Sequence, residues 1–338
     1  MLTLTTFWSI LIAVFMFGFL IFIHELGHFL AAKKAGIGVM EFSLGMGPRI
    51  WKKQGKETLF SLRLFPIGGS CMMVGEDADI DDERAFNKKG KLARIGVLVA
   101  GAGMNLAFGV LLVFIIQCFT PSYVTTTVKD IYLEQQTAFE VGDHIVKCDG
   151  YGVLNYTDLN LAINFIEHET FDATVIRNGE RVELTDIPLI MTEDGYRIGI
   201  SFGVEDMNFG KVLTQTATES LSIVRSVWKS LAFLVTGRVG IGELTGPVGI
   251  TAMIGETVQY GILNVLNLVA LIAINLGVMN LLPIPALDGG RILFIAVEAV
   301  IGRPIPPEKE GIVHLVGFGL LMILTVIVFI HDIIRVVT

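Results

Sequence analysis

Four stretches of this 338-residue chain, about residues 7–32, 95–119, 260–282 and 312–334, are apolar over roughly the twenty residues needed to cross a bilayer. Hydrocarbon offers no water to backbone N–H and C=O groups, so each stretch must satisfy them internally, as an α-helix. Composition agrees: 52% of residues are hydrophobic, 17% are charged and mean hydropathy is +0.66, against about 25% charged residues in a typical soluble domain. A fifth apolar run, about 216–236, is interrupted by Arg225 and Lys229. It reads as an amphipathic helix lying on a membrane surface. Residues 1–6 carry no positive charge, and the run that follows is longer than the apolar core of a signal peptide. The first stretch is therefore expected to be a retained helix.

Within that first stretch stands His24-Glu25-Leu26-Gly27-His28. On a helix, residues four apart share a face, so both imidazoles can reach one Zn²⁺, and Glu25 is placed to act as general base on water. Ionisable groups inside an apolar span are costly unless they have a task. Between Lys33 and Arg94 there are 12 Lys/Arg against 8 Asp/Glu, and between Pro121 and Gly210 there are 5 against 16. The positive-inside rule puts the first of these loops in the cytoplasm and the second outside. The histidines then lie in the cytoplasmic half of the first span. An overall charge of −8, concentrated in the external region, argues against nucleic acid as a partner.

Three regions follow from this layout. Residues 1–120 form the first part of the membrane core, with a strand-rich element at about 40–75 between its two spans. Thr58–Phe65 shows partial alternation there, and Asp77–Glu83 reads as a solvated loop. Residues 121–210 read as an α+β domain. Gly142-Asp143-His144-Ile145-Val146 opens a strand, Thr157–Ile166 forms a helix capped by Thr157 or Asp158, and Asn178-Gly179 makes a type I′ hairpin turn. This pattern resembles a PDZ domain, although the carboxylate-binding loop of that family is not evident. Residues 211–338 hold the amphipathic helix and the last two spans. Of the three cysteines, only Cys118 and Cys148 share a side of the membrane and could pair, and free thiols are expected.

A catalytic zinc needs three protein ligands and an open position. Asp288 is the candidate third ligand. It lies at the cytoplasmic end of the third span, where Pro283 and Pro285 break the helix and Gly289 and Gly290 free the backbone.

Several separated motifs occur in one order: His24–His28, then Phe42-Ser43-Leu44-Gly45-Met46-Gly47-Pro48, Pro66–Gly69, Gly101–Asn105, Gly246–Ile250, and Asn280 to Pro283 running into Leu287-Asp288-Gly289-Gly290. Together they resemble the site-2 protease family of intramembrane zinc metalloproteases, of the bacterial type with one PDZ domain. The resemblance implies a polytopic α-helical membrane protein with four transmembrane helices, a membrane-associated β-element after the first and a PDZ-like domain between the second and third. It implies Zn²⁺ held by His24, His28 and Asp288, with Glu25 activating water. Asn280 and Pro283 match substrate-holding positions, and the 57–72 region matches a β-element that pairs with unwound substrate. Asn105 is read as a substrate contact or as packing between helices.

The expected enzyme is a multi-pass protein of the bacterial cytoplasmic membrane. It would cleave single-span proteins, such as anti-sigma factors or remnant signal peptides, after they have been trimmed outside. The PDZ-like domain would act as a size filter or bind a peptide. A membrane-anchored receptor with a structural metal has no use for Glu25. A zinc transporter would spread its polar residues along several spans. His314 and His331 are expected at the membrane interface, Glu298 and Asp332 in solvent or at that interface, and His144 and His168 on the surface.

Overall fold

The computed structural model describes residues 4–76, 80–132, 138–166, 168–192 and 195–337. Asp77–Asp79, the start of the expected solvated loop, lies outside the described residues. The chain forms two compact units, Met1–Leu112 with Ala232–Thr338, and Val113–Leu231.

The first unit contains the helices that are long and apolar enough to cross a membrane: α1 (Leu4–Lys34), α2 (Lys91–Phe119, running on into the other unit), α6 (Ile262–Asn280) and α8 (Pro307–Val337). Between α1 and α2 run β1 (Val39–Gln54) and β2 (Leu59–Met73), an antiparallel pair that folds back on itself. Residues 49–54 pair with 59–63, while 41–44 pair on one side with 59–62 and on the other with 69–72. The result is four short strands, with 69–73 at one edge. Glu41, 5% exposed, sits in this sheet and accepts hydrogen bonds from Arg49 at 2.5 Å, Arg63 at 2.9 Å and Ser61 at 2.7 Å. The Arg49 guanidinium is the main reason its carboxyl is held down at about 2. Phe42, Val39 and Met73 of the sheet join Val97 and Leu98 of α2 in a buried cluster.

Two further helices of this unit were not separated by the apolar pattern: α5 (Pro247–Gln259) and α7 (Asp288–Ile301). Proline at the first position suits α5, since that N–H is unpaired in any helix. Asp332 of α8 takes two other N–H groups at this end, Gly246 at 3.2 Å and Gly249 at 2.8 Å. A carboxylate at a helix N-terminus meets both unpaired donors and the positive end of the dipole. Asp332 is thus 2% exposed, and the expectation of a solvated or interfacial residue is corrected. Glu298 of α7 is corrected in the same way. At 3% exposure it accepts from Arg94 of α2 at 2.7 Å and from the Ile305 N–H at 3.0 Å. Both acids are buried because each has partners far away in sequence, as a buried charge requires. Ile254 of α5 packs with Leu20 of α1 and Ala273 of α6, each with no exposed surface.

The second unit holds β3 (Ser122–Ile131), β4 (His144–Cys148), β5 (Tyr151–Gly152), α3 (Tyr156–Asn164), β6 (Thr170–Arg177), β7 (Glu180–Pro188), β8 (Ile190–Thr192), β9 (Gly195–Arg197) and β10 (Ile200–Asp206). Its main sheet has the order β10-β3-β4-β6-β7, with β5 beside β4 and a core that includes Ile145, Leu159, Val175 and Ile187. The β6–β7 turn has Asn178 and Gly179 at φ 53° and 87°, as a type I′ turn requires. The cap of α3 is Asn155, whose side chain accepts from the Asp158 N–H at 2.9 Å, and not Thr157 or Asp158. Asp158 instead turns inward to receive Arg225 at 2.8 Å.

That arginine belongs to α4 (Phe209–Thr236). Its other terminal nitrogen donates to the Gly152 carbonyl at 2.6 Å, and Lys229 lies 4.0 Å above the Tyr151 ring centre. The two basic residues that interrupt the apolar run therefore fasten α4 to the α+β domain. His144 and His168 are exposed, as is His331 in the first unit. Cys71 and Cys148 are buried, Cys118 is exposed, and all three are free, burial pushing the Cys148 thiol up to about 12.

Candidate metal centre

α1 is apolar around most of its circumference, and its His24 and His28 fall on one face. Their Nε2 atoms are 3.1 Å apart. Asp288 Oδ2 is 3.2 Å from the first and 3.3 Å from the second. The chain reaches this point through a broken turn: α6 ends at Asn280, prolines 283 and 285 prevent its continuation, and α7 begins at Asp288 itself.

Hydrogen bonding accounts for only one of these three contacts, that between the two rings. Asp288 Oδ2 is buried and, despite the two nitrogens beside it, has no hydrogen bond of acceptable geometry. Two imidazole nitrogens facing each other can share only one proton. The spacing suits a common metal instead: bonds of about 2.0–2.1 Å in a tetrahedron place ligand atoms about 3.3 Å apart. The donor set, two imidazoles and one carboxylate, fits Zn²⁺ and leaves one coordination position open.

The surroundings prepare His28 for that role. Its Nδ1 lies 2.9 Å from the Val97 carbonyl, which can only accept, so Nδ1 carries the proton and Nε2 keeps its lone pair. Close approach of α2 makes this possible, because a Cβ on Gly101 would lie 2.3 Å from His28 Nε2.

His24, Glu25, His28, Asn280 and Asp288 all line one cavity of about 460 Å³, and residues 69–73 of β2 form one of its walls. Five of the residues singled out in the sequence thus meet at one place. Pro283 does not line the cavity; it is exposed in the turn leading to Asp288. Asn105 is 1% exposed on α2, outside the cavity lining, and its Oδ1 has no hydrogen-bond partner among the described residues.

Two features of the site were missed in the sequence. Arg291 and Glu76 form an ion pair of 2.8 Å on the cavity wall. Arg291 lies three residues after Asp288 on α7, a helical spacing that could have signalled a shared face, whereas nothing marks Glu76 as its partner. The second is His314, expected at the interface. Its Nδ1 accepts the Ala286 N–H at 2.9 Å, two residues before Asp288.

Comparison with known proteins gives a consistent set of matches. The sequence model of peptidase family M50 matches residues 12–324. A protein of Clostridium acetobutylicum provisionally named a zinc metalloprotease is 36% identical over 340 residues, covering 97% of this chain and 98% of its own. Zinc metalloprotease RasP of Bacillus licheniformis is 30% identical, with 97% of this chain and 99% of the relative covered. The regulator of sigma-W protease RasP of Bacillus subtilis is 28% identical over 97% and 98% of the two chains.

Proposed function

The chain belongs to peptidase family M50, the site-2 proteases, and from that premise we propose that it is an intramembrane zinc metalloendopeptidase that cuts the spans of single-span membrane proteins. The observation that carries the reading is the convergence of His24 Nε2, His28 Nε2 and Asp288 Oδ2 within 3.1–3.3 Å, with Glu25 in the same cavity.

Bound by those three residues, zinc supplies Lewis acidity that acidifies water and polarises the scissile carbonyl. Glu25 takes the proton from the attacking water and passes it to the departing amine. The proton that His28 keeps on Nδ1, toward Val97, holds its ring in the metal-binding tautomer. Asn280, which lines the same cavity, would hold the substrate backbone. Pro283 acts by breaking the helix before Asp288. For Asn105 the burial on α2 favours the packing role.

A helical substrate has its backbone groups bonded to one another, and the bilayer has nothing to replace those bonds. The segment 69–73 meets this need. Among the described pairings it is bonded on one side only, to 39–44, and it lines the cavity beside Glu25. An unwound substrate can add to that edge as a further strand.

The charge distribution between loops supports a cytoplasmic membrane protein with the cavity near the cytoplasmic side and the α+β domain, read as PDZ-like, outside. The name of the Bacillus subtilis relative, regulator of sigma-W protease, supports membrane-held regulators such as anti-sigma factors as substrates. Remnant signal peptides present the same chemistry. The test is cleavage of a tagged single-span substrate by purified protein, wild type against Glu25→Gln, with and without a zinc chelator. The reading requires cleavage by wild type alone, lost on chelation and restored by zinc. Undiminished cleavage by Glu25→Gln would overturn it.

A further inference from the structure

We propose that α8 sets the third metal ligand: His314 and Gly317 hold the Pro285–Ala286 turn in the conformation that presents Asp288, which makes His314 a positioning residue. This rests on the metal centre proposed above.

Ala286 has φ 78°, a left-handed backbone that an alanine keeps only where its surroundings impose it. Two contacts from one face of α8 impose it here. His314 Nδ1 accepts the Ala286 N–H at 2.9 Å, which fixes the plane of the peptide group between Pro285 and Ala286. One turn further along α8, bare backbone at Gly317 rests on Pro285: a Cβ there would lie 2.4 Å from Pro285 Cβ and 2.8 Å from its carbonyl oxygen. The His314 ring is itself kept in place by Phe294 of α7, with ring centres 5.6 Å apart.

Asp288 follows two residues later. Among the described hydrogen bonds and ion pairs, its carboxylate meets only the two imidazoles. Apart from those two rings no donor among the described residues steers its side chain, and the position of Oδ2 is inherited from the backbone that α8 holds. An acceptor on α8 acts on the metal through the turn, much as outer-shell partners elsewhere act through a ligand's ring or carboxylate.

The experiment compares the full-length protein in detergent with Asp288→Ala, His314→Leu, His314→Asn and Gly317→Ala. Zinc affinity is measured by competition with a chelator, and the visible spectrum of the Co²⁺-loaded protein reports ligand geometry. Loss of the acceptor in His314→Leu should weaken zinc binding about 10- to 100-fold and alter the Co²⁺ bands. His314→Asn, whose Oδ1 replaces Nδ1, should stay within about threefold of wild type. Gly317→Ala should weaken binding although the hydrogen-bonding atoms are intact. Wild-type affinity and spectrum in His314→Leu would overturn the proposal. So would equal losses in the Leu and Asn variants, since ring packing on Phe294 and not the acceptor would then be responsible. If wild type and Asp288→Ala bound zinc equally, the fault would lie with the metal centre and not with α8. Should His314→Leu not fold, His314→Gln supplies an acceptor one bond out of place, and retention of wild-type affinity and bands there would also overturn the proposal.

Discussion

At the scale of single residues, the HExxH spacing and the proline-broken approach to Asp288 made the convergence of His24, His28 and Asp288 legible, because helix geometry alone places His24 and His28 on one face. What spacing cannot supply is the partner of each ligand. Val97 and Gly101 on α2 decide which nitrogen of His28 is bare and how closely the helices approach. Glu25→Gln should keep zinc, measured as bound metal per protein, while the cleavage rate falls by about 10²–10⁴ through loss of the general base. Gly101→Ala should do the reverse and lose metal first. A methyl group 2.3 Å from His28 Nε2 has no room unless the ligand moves, and zinc affinity should fall by about tenfold or more.

Between elements, the decisive groups are acids that a linear reading leaves at the surface. The sequence reading puts Asp332 and Glu298 in solvent or at the membrane interface. In the fold each is buried against donors that come from more than eighty residues away or from the following loop: Gly246 and Gly249 for the first, Arg94 and Ile305 for the second. Periodicity records which face is apolar and is silent on such pairings, which is also why α5 and α7 escaped notice. Removing one member of a buried pair strands the other. Glu298→Ala should therefore lower stability by about 3–5 kcal/mol, read from thermal unfolding in detergent, and Glu298→Ala with Arg94→Met should recover part of that loss. The Glu41 carboxyl, held at about 2 by Arg49 against an ordinary value of 4.5, stabilises the β1–β2 sheet fully above about pH 4.5 and progressively less as pH falls toward 2. The wild-type melting temperature should drop between pH 6 and pH 3 by more than that of Glu41→Gln.

For the molecule as a whole, the order of the four described helices long and apolar enough to cross a membrane was readable, because bilayer thickness fixes the length to look for. The α+β domain was readable in its hairpin, where Asn178-Gly179 dictates the turn. Its attachment to α4 was not, since Arg225 and Lys229 look like breaks in an apolar pattern until Asp158 and Tyr151 are in view. If the domain restricts access to trimmed substrates, replacing residues 122–206 with a short Gly/Ser linker should leave cleavage of a trimmed substrate intact. The same variant should also cut a substrate that keeps its large external part, which wild type should leave whole.

The open edge at 69–73 has a consequence for what such an enzyme can recognise. Main-chain bonding carries no alphabet, because every residue except proline offers the same donor and acceptor. If substrates add to that edge as proposed, discrimination would pass from the spelling of a span to its mechanical weakness, so that a helix loosened by glycine, serine or asparagine would be cut and a stiff run of leucine would escape. The protease would in effect assay how easily a stranger's helix comes undone.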